Sequence, residues 1–487
     1  MFRVLRAFWN DQRGIALILV AITLPAIIGF SLVAIDMSRA SNLHHDLQEG
    51  ADAFSIAAAA ELDGKSDSIT RADRALATLV ANQYNRLHSG PPQTLAAAGV
   101  TRRYLRSLPA SDNLPIVSAN IIADEVADAS DARFVEVRVT PVGFAAIFPA
   151  SFVTAGTSGS WTIGAVAVAG FKSGVCDFTP VFICNPYEND PDGHTLEEAV
   201  SNVNLRRRLI ELRKVGNGAA AGPGNFGFLE PPEGVGNGAQ ALAQTIATSK
   251  PVGCYSAEGV TTKTGQNAGP VQDAFNVRFG IGANGNHFDS PLYGPAVNVR
   301  KGAIRTQGSA NQCPSYNQLT FGTPNMGMPR DASWPYMNGR MGDGNWNLSG
   351  YWSTNFGSAS YPSSWDTTKP TRYDVYRYEI ANSLVGTASA GGEVGTPSSA
   401  CQPPVTTVDR RLIYGAILNC TALEQNNDLS GHSTDLPVEA FASFFLTEPV
   451  SSTSEDASVM VELVDITGRG GQGTLDDFLR DEAQLYR

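Results

Sequence analysis

The stretch Gly14–Ile35, GIALILVAITLPAIIGFSLVAI, is 22 residues long and carries no charge. As an α-helix rising about 1.5 Å per residue, it can cross the roughly 30 Å hydrocarbon core of a bilayer. Its Ile, Leu, Val and Phe side chains favour insertion by roughly 4 to 8 kcal/mol, before smaller costs from Thr23, Ser31 and the glycines. Pro25 is compatible with such a span, because membrane helices re-satisfy the backbone group that proline frees. No other window of the chain is comparably apolar, so a single span is expected.

The flanks set its direction. Arg3, Arg6 and Arg13 stand against one acid, Asp11, on the N-terminal side; beyond the span Arg39 faces Asp36, Asp46 and Glu49. Basic excess stays in the cytoplasm. Residues 1–13 are therefore expected inside, and everything after Ile35 outside. A cleaved signal peptide is the competing reading, since Ser38-Arg39-Ala40 has small residues at a peptidase spacing. The apolar run exceeds the usual h-region of about 7–15 residues, however, and Asp36 separates it from that site. An uncleaved anchor is expected.

The 487 residues have room for two to four domains, and the formal charge of −12 argues against nucleic acid as a partner. Only 7 of the 35 basic residues are lysine, and they form no cluster. All six cysteines (Cys176, Cys184, Cys254, Cys313, Cys401 and Cys420) follow the span. An even number outside the cytoplasm implies disulfides. Sequence cannot choose the pairing; the short-range set Cys176–Cys184, Cys254–Cys313 and Cys401–Cys420 is the simplest expectation. Zinc is the rival use, but no CxxC or Cys/His ligand spacing occurs.

Past Asp36 the helix is expected to continue, because Leu43, Leu47, Ala51, Phe54, Ala58 and Leu62 recur at helical spacing. Asp63-Gly64 supplies a stop. This amphipathic half either covers its own domain or offers a seam to a second membrane-anchored protein. A second helix is expected from Thr70 to about His88. Arg102, Arg103 and Arg106 read as a solvated surface rather than a lipid-headgroup site. Strands are expected at Ile116–Ile122, Phe134–Val139, Phe144–Phe152 and Trp161–Phe171, the second for its strict alternation. Helices followed by an antiparallel run give an α+β module closing near Lys172.

The order Arg13-Gly14, apolar span with Pro25, Asp36, then Leu47-Gln48-Glu49-Gly50-Ala51-Asp52-Ala53 and an alanine run resembles the N-terminal region of TadG-like proteins of tight-adherence (Flp pilus) assembly. The stretch Ala165–Gly170 also fits that pattern, and the resemblance is strongest over residues 1–172. Gly50 stands where the family more usually has Ala. The resemblance implies a single-pass bacterial inner-membrane protein with its body in the periplasm or at the cell surface. Its implied work is pilus assembly or anchoring, and hence cell adhesion. Implied partners are the inner membrane and other pilus-assembly membrane proteins or pilin.

From Cys176 the texture changes to Gly, Asn, Tyr and Trp. Helices are expected at Thr195–Val215, with Glu197 and Glu198 in its first turn, and at Gly238–Thr248. Between Cys254 and Ala400 short strands separated by turns are expected. Tyr373–Glu379 reads as either strand or short helix. Arg410–Cys420, Val438–Leu446 and Ser458–Ile466 read as buried strands. The expected architecture is thus α+β: residues 1–13 cytoplasmic, 14–35 transmembrane, 36–172 the module, and 173–487 a β-rich, disulfide-containing region.

No motif carries chemistry. Gly280–Gly285 matches GxGxxG after a strand-like run, Phe275–Phe279, but no helix start follows to receive a pyrophosphate. Asp343–Asn347 and Asn189–Gly193 have part of a calcium loop's oxygen spacing without its Gly or Glu. The metal-site pattern Asp-x-Ser-x-Ser, carried by von Willebrand A domains in many TadG-like proteins, fails at Asp36–Ala40 and Asp428–His432. No HExxH, GxSxG, SxxK or Walker A sequence occurs, and the six histidines are scattered, with His44 and His45 read as solvated. Catalytic, cofactor and metal residues are therefore expected to be none, and the chain is expected to be a structural partner rather than an enzyme. Two alternatives remain: a minor pseudopilin, disfavoured because Leu19 stands where the processed class needs Glu, and an extracytoplasmic enzyme or binding protein that borrows the anchor.

Overall fold

A computed structural model describes the chain except for residues 1–12, 64, 81–98, 110, 112, 145, 148–160, 215–219, 232–235, 237, 252, 257–258, 264–267, 284, 286, 323–325, 408, 427, 430–431, 452–457, 468–470, 476–477 and 487. Two units are distinct: residues 1–172 with 481–487, and residues 173–480.

The first unit begins with one unbroken helix, α1 (Arg13–Ala59, 47 residues), about 70 Å long at helical rise. It ends just ahead of the expected stop. A second helix, α2 (Ser68–Val80), follows; the rest of the expected helix to His88 lies outside the described residues. Strands β1 (Val100–Leu105), β2 (Phe134–Phe144) and β3 (Trp161–Cys176) form an antiparallel meander. The chain's last strand, Leu479–Leu485, lies beside β3. Val135, Val137 and Val139 of β2 and Ala165, Ala167 and Ala169 of β3 share a core with Leu47, Phe54 and Ala58 of α1. Alternation puts the valines on one face of the sheet, and the alanines give the helix room to lie close.

Ile116–Ile122 is not the expected strand. Ser118–Asn120 is a 3₁₀ turn, with Asn120 Oδ1 accepting the Val117 N–H at 3.0 Å. A local side-chain bond of this kind competes with a ladder, and Ile121 keeps only an isolated bridge to Leu105. Most of Phe144–Phe152 lies outside the described residues.

The second unit is built on a closed six-stranded barrel. Its strands are β4 (Val181–Cys184), β5 (Leu209–Lys214), β6 (Asn225–Phe228), β10 (Leu412–Leu418), β11 (Ala440–Leu446) and β12 (Ser458–Ile466), in the order β10-β11-β12-β5-β6-β4. Two of its pairings, β4 with β10 and β5 with β6, are parallel. Val181, Ile183, Ile210, Leu212, Ile413 and Phe444 enter one core cluster, while their neighbours Phe182, Cys184, Ala416 and Leu418 enter another. Strands buried on both faces read as continuous apolar runs, which is why the segments from 412 and from 440 were recognisable.

Helices α3 (Leu196–Ser201), α4 (Val203–Arg206), α5 (Ala239–Ala247) and α6 (Ala268–Asn276) accompany the first half of the barrel, along with the short strand β7 (Cys254–Ser256). The hairpin β8 (Ala303–Arg305) and β9 (Leu319–Phe321) leads to α7 (Leu348–Phe356), α8 (Trp365–Thr368) and α9 (Arg372–Ala381). The short helix α10 (Cys420–Gln425) follows β10.

The single helix expected over Thr195–Val215 is therefore two short helices and a strand. Asn202 ends α3 and caps α4, its side chain accepting the Asn204 N–H. The alternating Ile210-Glu211-Leu212-Arg213 then joins the barrel. The Cys254–Ala400 region is also more helical than expected, with Tyr373–Glu379 inside α9. Phe275–Phe279 is the end of α6 plus a 3₁₀ turn; Phe275 and Phe279, four residues apart, are both buried.

Candidate functional site: the apolar helix and the residues that hold it

Among its described residues, the half of α1 that precedes Asp36 has no buried side chain. Its best 18-residue window has mean hydropathy 2.6 and none of it is buried. Ile22, Ile27 and Phe30 are 70%, 60% and 78% exposed, far more apolar surface than a water-facing helix normally shows. The polar atoms in this half are satisfied within the helix: Thr23 and Ser31 each donate to the carbonyl four residues back at 2.8 Å. This is the behaviour required where no water is available. The helix is a candidate membrane anchor.

Asp36 marks the change of environment. Although it is a charged residue at the edge of the apolar run, it is 2% exposed. Its Oδ1 accepts the Ile147 N–H at 2.9 Å and pairs with Arg39 at 3.4 Å. From Leu47 onward one face of the helix is buried in the first unit's core. His44 Nδ1 lies 3.2 Å from the Gly164 carbonyl, and Gln48 donates to the Val166 carbonyl at 3.0 Å. Bonds to β3 thus fix the helix rotation. His45 and Glu49, with Ile56 one further repeat along, stay exposed on another face.

The basic cluster is neutralised rather than free. Arg102 pairs with Asp73 and Glu125, Arg106 with Asp128, and Arg103 with Glu136. Burial would raise the Glu136 carboxyl, but hydrogen bonds from Arg103 and Arg138 hold it below the usual range.

The six cysteines form three disulfides: Cys176–Cys254, Cys184–Cys420 and Cys313–Cys401. The short-range pairing is thus corrected. The barrel brings Cys184, at the end of β4, into register with Leu418 at the end of β10, so Cys420 lies within reach. The pairing β3–β7 places Cys176 opposite Cys254. Glu188 lies with Cys184 and Cys420 in a buried trio, but both sulfurs are spent in the disulfide. The Glu188 carboxylate instead accepts the Cys420 and Thr421 N–H groups at 3.0 and 2.6 Å.

The remaining motifs resolve into turns. Gly280 closes the 3₁₀ turn in the left-handed region at φ 67°. Asp343 accepts from Asn345 N and Ser333 Oγ, and Asn347 caps α7. Asp190 accepts the His194 N–H, and Asp192 the Tyr336 hydroxyl. His44 and His45 are exposed. The Asp428–His432 pattern includes residues outside the described set.

Residues 14–61 match a family model, Tad, whose description is "Putative Flp pilus-assembly TadE/G-like". No curated protein and no solved structure matches the chain. The matched segment is α1, from its exposed apolar half to the end of its buried face. Over residues 14–61 the chain is thus similar to the TadE/G-like proteins of Flp pilus assembly.

Proposed function

We propose that the chain is a membrane-anchored structural component of tight-adherence (Flp) pilus assembly, acting through protein–protein contacts outside the cytoplasm. The observation that carries this reading is the coincidence of the family match with one helix, half exposed and apolar, half packed in its own module. The charge asymmetry around the span supports an N-terminus in the cytoplasm and a body beyond the inner membrane. Three disulfides fit an oxidising compartment. The chain serves as a structural partner, not an enzyme, and its partners are other pilus-assembly membrane proteins or pilin.

The test is photo-crosslinking in intact cells from a probe at His45, Glu49 or Ile56, the exposed face of α1. Recovery of pilus-assembly membrane proteins or pilin is expected, together with loss of the pilus on deletion. Normal piliation in the deletion strain would overturn the reading. A reporter enzyme fused after residue 480 tests the topology: activity only in the cytoplasm refutes it.

A further inference from the structure

In the second unit, beside α7 and α8, lies a cleft of about 220 Å³. Its walls come from residues 344–349 and 361–370, with Arg207 beneath. Three half-buried rings line it: Trp346, Tyr361 and Trp365. They are held from behind. Trp365 meets Trp352 and Tyr378 edge-on at 5.9 and 4.9 Å, and Tyr361 stacks with Trp365 at 6.0 Å, 19° from parallel. Trp346 lies over the Arg372 guanidinium at 5.0 Å.

Polar groups of both kinds stand beside these rings. Asp366 is exposed and uses Oδ1 to accept the Tyr361 hydroxyl at 2.8 Å, which leaves carboxylate lone pairs available. Lys369, also exposed, ends α8 at φ 50° and has no ion pair among the described residues. Asn347 spends its amide oxygen on the Gly350 N–H at 2.9 Å, so its NH₂ remains a donor. Arg207 donates to Asn345 Oδ1 at 2.9 Å, which fixes the floor.

We propose that this cleft binds one pyranose unit of a neutral saccharide. A pyranose has C–H faces, which carry slight positive charge and rest on the negative faces of aromatic rings. Its rim of hydroxyls each needs both a donor and an acceptor. Fixed rings beside a carboxylate, an ammonium and an amide match both requirements. With Asp366 and Lys369 opposite in sign and Arg207 engaged with Asn345 and the Lys369 carbonyl, the exposed rim has no net charge to draw an anion, and a wholly apolar ligand would leave three polar groups desolvated without partners. The volume, below the roughly 300–1,000 Å³ of drug-sized sites, suits a single ring. The proposal concerns the second unit alone and does not rest on the pilus reading.

The experiment uses the full chain in a detergent without a sugar headgroup. Tryptophan fluorescence and calorimetry follow titration with the methyl glycosides of glucose, galactose, mannose and N-acetylglucosamine, and with methyl glucuronide and phosphate as anions. Saturable binding of at least one neutral glycoside is expected, weakened about tenfold or more by Trp365→Ala. That variant disturbs the ring cluster, so Asp366→Ala and Lys369→Asn, both at exposed positions, are decisive. Each is expected to weaken binding several-fold with an unchanged melting temperature. No neutral glycoside bound, binding of the anions alone, or neutral binding unaffected by Asp366→Ala and Lys369→Asn would each overturn the proposal.

Discussion

Arg411 is fully buried; its backbone N–H donates to Asp409 Oδ1 at 3.3 Å, yet among the described residues no carboxylate is bonded to its guanidinium. Its guanidinium donates to the carbonyls of Leu446, Thr447 and Arg300, and lies over the rings of Phe279, Tyr376 and Phe445. Arg278 and Arg410 serve carbonyls in the same manner. Nothing in the sequence distinguishes these arginines from surface ones, because their partners are backbone groups supplied by remote segments. Replacing Arg411 with Met is expected to cost about 3–5 kcal/mol in urea denaturation, since it strands several buried carbonyls at once. Arg372 sits between two buried acids, bonding Asp331 at 2.5 Å and Glu462 at 3.0 Å. Burial pushes the Glu462 carboxyl up to about 7, although Arg372 pulls it down. Between the ordinary value of 4.5 and about 7, the folded chain holds a proton that the unfolded chain has released. The stability from this group is therefore full below the lower value and drains away as pH rises to the upper one. Glu462→Gln should flatten that decline, read as a smaller drop in melting temperature between pH 5 and pH 7.

Among the elements, α1 shows how far local pattern carries. Its apolar half and its amphipathic half were both legible, because insertion and one-face burial depend on residues of the same helix. Leu24→Arg combined with Ile28→Arg puts two charges near the middle of the span, at about 2.5–3.5 kcal/mol each, enough together to offset the roughly 4 to 8 kcal/mol gained on insertion. The variant is expected in the carbonate-soluble fraction, where the wild type stays with the membrane. Phe54, buried at 1%, belongs to the other half. Phe54→Ala should destabilise the first unit by about 3–5 kcal/mol without releasing the protein from the membrane. Two different assays thus separate the halves. The Thr195–Val215 stretch shows the opposite lesson. Its charge order fits a helix dipole, but Asn202 breaks it and the barrel claims Leu209–Lys214. A strand that completes a closed sheet gains two ladders, and that tertiary gain outweighs a weak local preference.

Across the molecule, the longest covalent tie is Cys184–Cys420, with a separation of 236 residues. Replacing both cysteines with Ala is expected to lower stability of the second unit by about 2–5 kcal/mol, measured by urea denaturation of the two forms. The strand Leu479–Leu485 belongs to the sheet of the first unit, where the Tyr486 N–H bonds the Val168 carbonyl at 2.8 Å and its ring meets Phe134. Ending the chain at residue 478 should raise hydrogen exchange in β3 while leaving the barrel protected. Residue order alone was enough for the long apolar helix, its amphipathic continuation and the apolar barrel strands. Each is a sum over near neighbours, and hydrophobicity and helical period act locally. Tertiary structure alone decided which cysteines meet, that the final strand returns to the first sheet, which arginines are buried and which aromatic residues share a cleft. Those outcomes depend on bringing together segments up to hundreds of residues apart, and no local property of either partner encodes the distance between them.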